Sequence, residues 1–453
     1  MHDEGRVPYR DIFDFQMPGS YAAYYTIGIL SNFGDFRIRV LDILILSSLL
    51  TITYLFMRGF GKTPALAAGL LFGLKYLEGG PSMSFQREYL LLLFIALAVW
   101  IVTQEDLTAG HRILIGLLFG FAAVIKPHAS IGLLPVLLFD ISNLRQRREM
   151  TLLNATAKSI LLLLVGFLIP ILIVTAWLAF AGALAPFIDI ARGYWPLYAQ
   201  INGQMEVNAG AARWSFIFDQ VWRLGGSGLW LIPALIGVYL VPRHQKRVAY
   251  LLLGLAFCYA VYPAFSGQFF PYHYIPFVYF ILLLSSLCVL ESNWQPAAFV
   301  ILLMMIVVNI HLSSTFVRQL EGKPITTPTD RAGDIARFLE KNLKEGDTVQ
   351  PLDWTGGTLL AMLETRAHIA TPYIFDFYFY HHVSQPYIQR LRVSFMNDLE
   401  RSSPRFIVEV TAIDKPWITG PDTTREFPEL RAFLDENYSV TIQKDDYAIY
   451  ERK

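Results

Sequence analysis

A short stretch near the start of the chain combines carboxylates with cations and an aromatic ring. Asp11 and Asp14 lie three residues apart, and Arg6, Tyr9 and Arg10 flank them. A carboxylate can act as a general base that takes a proton from an acceptor hydroxyl, and arginine can bind a phosphate through two hydrogen bonds. These groups would serve a transfer reaction with a phosphate leaving group. The same spacing also fits a solvated loop of mixed charge.

Other ionisable residues lie at the ends of apolar segments. Arg87 and Glu88 open one segment, Lys126 and His128 follow another, and His273 precedes a third. A channel or pump needs polar groups through the whole depth of the membrane. A single charged layer instead suits chemistry on a lipid-linked substrate whose head group lies at one interface. Taken singly, each of these residues could also be an interfacial side chain that extends to water.

These residues would be positioned by a bundle of about ten membrane-spanning helices. Of the 453 residues, 54% are hydrophobic and 16% are charged, whereas soluble domains carry about 25% charge. Apolar runs of suitable length predict spans at Arg39–Met57, Thr63–Leu77, Glu88–Thr103, Ile113–Ile125, Ala129–Asp140, Ser159–Ala183, Gly228–Val241, Val248–Phe265, Tyr274–Leu290 and Pro296–Leu312. The fourth and fifth runs are short, and one long kinked helix with an interfacial piece is the alternative to two spans.

Basic residues predict the orientation of this bundle. If the first segment lies outside the cytoplasm, the inner loops are 58–62, 104–112, 142–155, 242–247 and 291–294. These 38 positions hold nine Lys and Arg residues, and loops rich in such residues stay in the cytoplasm. We therefore expect a multi-pass protein of the inner (plasma) membrane whose C-terminal stretch is extracytoplasmic.

The stretch after Leu312 changes to the composition of a soluble domain. Asp330–Leu343 has helical periodicity, and further helices are predicted at Tyr387–Leu399 and Thr424–Glu436. Strands are predicted at Phe406–Val410, Ser439–Gln443 and Tyr447–Tyr450. We expect a mainly α protein with three parts: a first extracytoplasmic loop with interfacial helices (1–36), a transmembrane helical domain that includes the outer loop 184–227 (37–312), and a small extracytoplasmic α/β domain (313–453).

Four stretches resemble the GT-C superfamily of membrane glycosyltransferases, in particular the bacterial family 39-like branch related to protein O-mannosyltransferases and to the lipid A aminoarabinose transferase. Residues 5–11, followed by Pro18, are similar to the first outer loop of that family, with its tyrosine and aspartate. Residues 37–42 resemble the start of its second helix. Residues 116–127 resemble its glycine-rich helix that ends in lysine, and residues 267–276 its late aromatic motif.

This resemblance implies a reaction. Such enzymes move a sugar, with inversion, from a polyprenyl-phosphate carrier to a lipid, glycan or protein acceptor outside the cytoplasm. It implies no cofactor and leaves the metal requirement unknown. It places Asp11 and Asp14 at the acidic site, and it implies that the substrates are bound by Arg6, Tyr9, Arg10, Arg87, Glu88, Lys126, His128 and His273.

The start of the chain departs from the family pattern. The family has a helix before the first outer loop and a catalytic aspartate soon after that helix, whereas here only four residues precede Gly5. We therefore expect a chain that begins at an internal methionine, or a fragment, in which Asp3 or Glu4 could stand in for the missing aspartate. A degenerate, inactive copy of the enzyme is the alternative.

Two other classes of function stay open on the sequence. A transporter or flippase of lipid-linked sugars would also span the membrane many times, and a non-catalytic scaffold could keep the fold without the chemistry. A zero net charge indicates no nucleic-acid partner. Cys258 and Cys288 both lie in apolar runs, so we expect them to be packing residues.

Overall fold

The computed structural model describes residues 5–80, 84–104, 106–146, 151–290, 295–311, 321–322, 329–413 and 415–453. Their contacts divide the chain into two compact units. The membrane unit comprises Gln16–Trp177 and Trp214–Ile325, and the α/β unit comprises Met1–Phe15, Leu178–Arg213 and Thr326–Lys453. The three-part division at residues 36 and 312 stays a prediction.

The membrane unit is built from helices alone in its described part. They are α1 (Pro18–Ser31), α2 (Asp35–Met57), α3 (Lys62–Glu78), α4 (Arg87–Val102), α5 (Ala109–Ile125), α6 (Leu133–Gln146), α7 (Leu152–Phe180, with its last turn in the other unit), α10 (Gly210–Arg223, with its first turn in the other unit), α11 (Leu231–Leu240), α12 (Lys246–Ser266), α13 (Ile275–Ser286) and α14 (Gln295–His311). Every apolar run predicted as a span overlaps one of these helices.

The predicted count of about ten spans is not confirmed. Four described stretches are long and apolar enough to cross a bilayer: Phe36–Phe60, Leu152–Phe180, Lys246–Ser266 and Pro271–Val289. A fifth would result if the bent pair Gly210–Gly226 and Gly228–Leu240 formed one span. The other helices of this unit have 17 residues or fewer. At a rise of about 1.5 Å per residue, each is shorter than the hydrocarbon core of a bilayer, which is about 30 Å thick.

Helices α5 and α6 form a hairpin rather than one kinked helix. A 3₁₀ turn, Pro127–Gly132, separates them. Near the opposite end of both helices, the guanidinium of Arg112 donates to both carboxylate oxygens of Asp140, at 2.8 and 2.9 Å. Ser159 of α7 also donates to Asp140, and all three side chains are buried. Arg112, expected as a loop cation, is therefore part of a buried ion pair.

Glycine lets α5 and α7 approach each other backbone to backbone. A Cβ on Gly116 would lie 2.0 Å from the carbonyl oxygen of Leu163, and one on Gly166 would lie 1.9 Å from that of Ile113. Small residues at such crossings are typical of membrane helices. The glycine-rich pattern of α5 thus has a packing reason.

We expect Gly116→Ala to lower the thermal unfolding midpoint of the detergent-solubilised protein, because one of the two backbones must move. Overpacking of this kind costs about 1–3 kcal/mol. Gly69→Ala is the matched control: Gly69 lies in α3 with open space where its Cβ would be, so alanine there should stabilise the helix by up to about 1 kcal/mol. Equal shifts for the two variants would contradict this account of the crossing.

The α/β unit contains a five-stranded sheet in the order β2-β1-β3-β5-β4. Its strands are β1 (Thr348–Leu352), β2 (His368–Ile369), β3 (Phe406–Val410), β4 (Tyr438–Gln443) and β5 (Tyr447–Arg452). β1 pairs in parallel with β2 and β3, and β5 pairs antiparallel with β3 and β4. The helices of this unit are α8 (Leu184–Gly193), α9 (Trp195–Tyr198), α15 (Thr329–Asn342), α16 (Gly357–Glu364), α17 (Pro386–Ser402) and α18 (Pro428–Asn437).

The sequence correctly predicted a small domain of mixed helices and strands in the C-terminal part of the chain, but not all of its elements. The α15, α17 and α18 helices and the strands β3, β4 and β5 lie where they were expected. The prediction missed β1, β2 and α16, and it treated residues 184–227 as a loop although they hold α8, α9 and α10.

Candidate active site

A buried ion pair lies where three helical segments of the membrane unit meet. The ammonium of Lys126 contacts Oε1 of Glu88, and Nε2 of His273 lies 3.9 Å from the same oxygen. Glu88 is fully buried, and Lys126 and His273 are 7% and 1% exposed. Charges that are this deeply buried are costly unless they are paired. Lys126 therefore does not extend to water, and its partner is a carboxylate of the same chain.

The local structure explains how these three groups meet. Glu88 is the second residue of α4, and Lys126 follows directly on α5. Lys126 has extended backbone angles, φ −154° and ψ 110°, because the residue before a proline avoids the helical region. His273 lies in the 3₁₀ turn Pro271–Tyr274 that precedes α13. One end of each helix thus contributes one polar group.

Aromatic rings surround the lysine. Its ammonium lies 5.3 Å from the ring centre of Tyr262 and 5.8 Å from that of Tyr272, a geometry in which ring faces attract cations. The ring of His128 lies 6.1 Å from Tyr262, and that of His273 lies 6.4 Å from it. Tyr262 is therefore the common neighbour of all three basic groups, and the sequence analysis missed it.

The cluster contains polar atoms that lack hydrogen-bond partners among the described residues. They are Oε2 of Glu88, the hydroxyl of Tyr262 and Nδ1 of His128. Buried polar groups in proteins nearly always have a partner, whether protein, water or ligand. Water or a polar ligand would satisfy these atoms.

Two further charged groups lie on α4 and its neighbours. Arg87 donates to the side-chain oxygen of Gln16, just before α1. Asp42 of α2 accepts hydrogen bonds from Tyr76 and, at 2.5 Å, from Ser84. The structure thus brings Glu88, Lys126 and His273 together with Tyr262 and His128, whereas Arg87 ties the start of α4 to the segment that leads into α1.

The acidic stretch near the start of the chain lies in the α/β unit. Arg10 donates to Asp11 from Nε at 3.0 Å and from a terminal nitrogen at 2.7 Å, and the backbone N–H of Val7 donates to Asp11 at 2.7 Å. A second terminal nitrogen of Arg10 donates to the carbonyl of Ala181 at 2.9 Å. The hydrogen bond from Arg10 holds the pKa of the Asp11 carboxyl below its usual range.

The neighbours of Asp11 have mainly structural contacts. Tyr9 is buried with φ +70° and packs edge-on against Phe187, 5.0 Å between ring centres. Arg6 donates to the carbonyl of Ile369 at 3.2 Å. Asp14 is only 4% exposed and accepts a hydrogen bond from the backbone N–H of Phe15 at 2.7 Å.

A helix-capping role for Asp11 is not supported. The next helix in the chain is α1, which begins at Pro18, and its N-cap residue is Met17, which makes no side-chain capping bond. Asp11 instead closes the turn that begins at Val7. Asp3 and Glu4 lie outside the described residues.

Among the described residues, no group of three or more His, Cys, Asp or Glu side chains is arranged to hold a metal ion.

The fold is similar to those of two proteins of known structure, ArnT and the arabinofuranosyltransferase AftD, although sequence identity to both is low. ArnT from Cupriavidus metallidurans bound to undecaprenyl phosphate aligns with a TM-score of 0.60 at 14% sequence identity, over 96% of this chain and 87% of that chain. Its apo state aligns with a TM-score of 0.60 at 13% identity, over 98% and 88%. The arabinofuranosyltransferase AftD from Mycobacteria aligns with a TM-score of 0.50 at 12% identity, over 97% and 38%.

These comparisons confirm the expected resemblance at the level of the fold. The fold and the apolar helices are those of a multi-pass membrane protein. No protein-family model matches the chain, and no curated protein matches it in sequence.

Proposed function

We propose that the protein is a glycosyltransferase that moves a sugar from a polyprenyl-phosphate carrier to an acceptor at the outer face of the membrane, with inversion. The buried cluster of Lys126, Glu88 and His273 carries this proposal. The fold supports it, because one structure with the same fold is ArnT bound to undecaprenyl phosphate.

The chemistry of the cluster fits a lipid phosphate. The ammonium of Lys126 is paired with Glu88 inside the cluster, and an ammonium in an apolar environment attracts an anionic head group. Tyr262 and Tyr272 line the same ammonium. A phosphate oxygen could accept from Lys126 and His273, while the unpartnered hydroxyl of Tyr262 offers a further donor.

The acidic stretch supplies the other half of the proposal. Asp11 would orient the acceptor hydroxyl or the catalytic base, with Asp14 in a supporting role. The hydrogen bond from Arg10 lowers the pKa of the Asp11 carboxyl, and an ionised carboxylate offers only acceptor sites to a hydroxyl. The predicted extracytoplasmic position of the α/β unit and the predicted inner (plasma) membrane location belong to the same proposal.

The phosphate site is tested with undecaprenyl phosphate as the probe and undecaprenol, which lacks the phosphate, as its control. The purified wild-type protein should bind the phosphate far more tightly than the alcohol. We expect Lys126→Met/Glu88→Gln, which removes both charges together, to weaken binding of the phosphate by tenfold or more, about 1.4 kcal/mol. Binding is measured by the ligand-dependent rise in the unfolding midpoint.

Lys75→Met/Glu78→Gln is the matched control, since Lys75 and Glu78 form a partly exposed pair at 2.7 Å at the end of α3. It should bind both probes as the wild type does. If the double variant at residues 88 and 126 still preferred the phosphate over the alcohol to the wild-type degree, Lys126 would not hold the carrier.

A further inference from the structure

Helix α10 has three chemically different faces. Successive residues of a helix are rotated by about 100°, so its side chains fall into three groups. Phe216, Ile217, Gln220 and Val221 are half-buried and pack onto the membrane unit. The other two faces are exposed, and they differ sharply from each other.

One exposed face is a stripe of aromatic rings. Trp214, Phe218 and Trp222 follow at intervals of four residues and are 72%, 79% and 84% exposed. The other exposed face is polar. It carries Asp219 and Arg223, which form an ion pair at 2.9 Å with both side chains more than half exposed.

The bend after α10 is fixed by glycine and by a tyrosine. Gly225 and Gly226 have φ +59° and +78°, and the axis turns by 65° before α11. A Cβ on Gly225 would lie 2.5 Å from the ring of Tyr274. The Tyr274 hydroxyl donates to the carbonyl of Gln220 at 2.9 Å, so the same side chain holds both the end of α10 and the turn.

A second group of exposed apolar residues lies beyond the bend, on α11 and just before it. Leu229, Ile232, Leu235 and Tyr239 are 55% to 80% exposed. Such a surface suits lipid and would aggregate in water. A helix with one apolar face, one solvated face and a tryptophan-rich border is typical of the membrane interface.

We propose that α10 lies flat in the boundary between head groups and acyl chains, and that its partner is the phospholipid bilayer. Trp214, Phe218 and Trp222 enter the lipid, whereas the Asp219–Arg223 pair stays in water. A membrane-crossing α10 would carry that pair into hydrocarbon, where charges are costly. Through Tyr274, the helix ties the segment that contains His273 to the membrane surface.

Spin labels test this orientation in the full-length protein, reconstituted into phosphatidylcholine–phosphatidylglycerol vesicles. One label is attached at Phe218→Cys and one at Asp219→Cys, 100° apart, with Cys258→Ala and Cys288→Ala in both. The residue 218 label should collide mainly with oxygen, which dissolves in lipid, and the residue 219 label mainly with a water-soluble nickel complex. Two oxygen-accessible labels would make α10 half of a broken span, and two nickel-accessible labels would make it a water-facing or protein-docking helix; either result overturns the proposal.

Tryptophan quenching provides a second measurement in a chain that keeps its cysteines. Phospholipids brominated near the carbonyl should quench wild-type fluorescence more than Trp222→Phe fluorescence, and bromine at the chain end should not distinguish the two. Trp230→Phe is the control, because Trp230 is buried and its loss should not reduce quenching by shallow bromine. The same quenching in Trp222→Phe as in the wild type at every bromine depth would refute lipid contact.

Discussion

Replacing Asp11 with asparagine should lower sugar transfer by about a hundredfold or more while the fold persists. The substitution keeps the shape of the side chain and removes its charge. The backbone N–H of Val7 can still donate to the amide oxygen, but the ion pair with Arg10 is lost. An amide cannot accept a proton from a hydroxyl, and it orients a hydroxyl less strongly than a carboxylate does.

The experiment measures both the rate of sugar transfer and the thermal stability of the protein. Membrane vesicles are supplied with a radiolabelled polyprenyl-phosphate sugar, release of the sugar from the carrier is followed, and the unfolding midpoint is recorded on the same preparation. Asp422→Asn is the control, because Asp422 also accepts a backbone hydrogen bond in this unit, from Ser384 at 2.9 Å, and a second bond from the Ser384 hydroxyl at 2.8 Å. Normal transfer with a lowered midpoint in Asp11→Asn would reduce Asp11 to a turn-closing residue.

Glu88→Ala should destabilise the membrane unit by about 3–5 kcal/mol, because it leaves the Lys126 ammonium buried without its carboxylate. Replacing both partners by apolar residues of similar size is usually close to neutral. Glu88→Leu/Lys126→Met should therefore regain most of the stability that Glu88→Ala loses. It should not regain binding of undecaprenyl phosphate.

The test compares the thermal unfolding midpoints, in detergent, of the wild type, Glu88→Ala and Glu88→Leu/Lys126→Met. Glu78→Ala is the control, because its partner Lys75 is about one-third exposed and such pairs contribute only about 0–1 kcal/mol. The account fails if Glu88→Ala costs no more than Glu78→Ala. It also fails if the double variant is as unstable as Glu88→Ala.

The helices of the membrane unit could be predicted because a long apolar run in a bilayer must satisfy its backbone hydrogen bonds within the segment, and a helix does this. Helix α1 was expected only as one of the interfacial helices in residues 1–36, without bounds, because its residues mix glycine and tyrosine with isoleucine, although Pro18 at its first position is a typical helix start. Strand β1 was missed for a different reason. It contains Gln350 and Pro351, and proline usually argues against an inner strand, but the side chain of Gln350 is buried and bonds to Thr371 and Tyr373.

The sequence predicted that the residues of the candidate site share one layer, but it did not predict which of them form an ion pair. The ends of apolar runs marked Glu88, Lys126 and His273 as one layer. That Lys126 contacts Glu88, 38 residues earlier, depends on the rotation of α4 and α5 about their axes, which packing decides. The interpretation of Lys126 as an ammonium in need of an external anion overlooked this internal partner. Tyr262 gave no sequence signal, because a tyrosine inside an apolar run is usually a packing residue.

The buried pair of Arg112 and Asp140 has a consequence for how the protein enters the membrane. An unpaired Arg or Asp makes helix insertion less favourable, by about 2.5–3.5 kcal/mol at the centre of a helix and by less towards its ends, where Arg112 lies. The bidentate contact between Arg112 and Asp140 joins α5 and α6 across 28 residues of chain. We expect the insertion machinery to hold α5 until α6 has emerged and to release the two helices into lipid together.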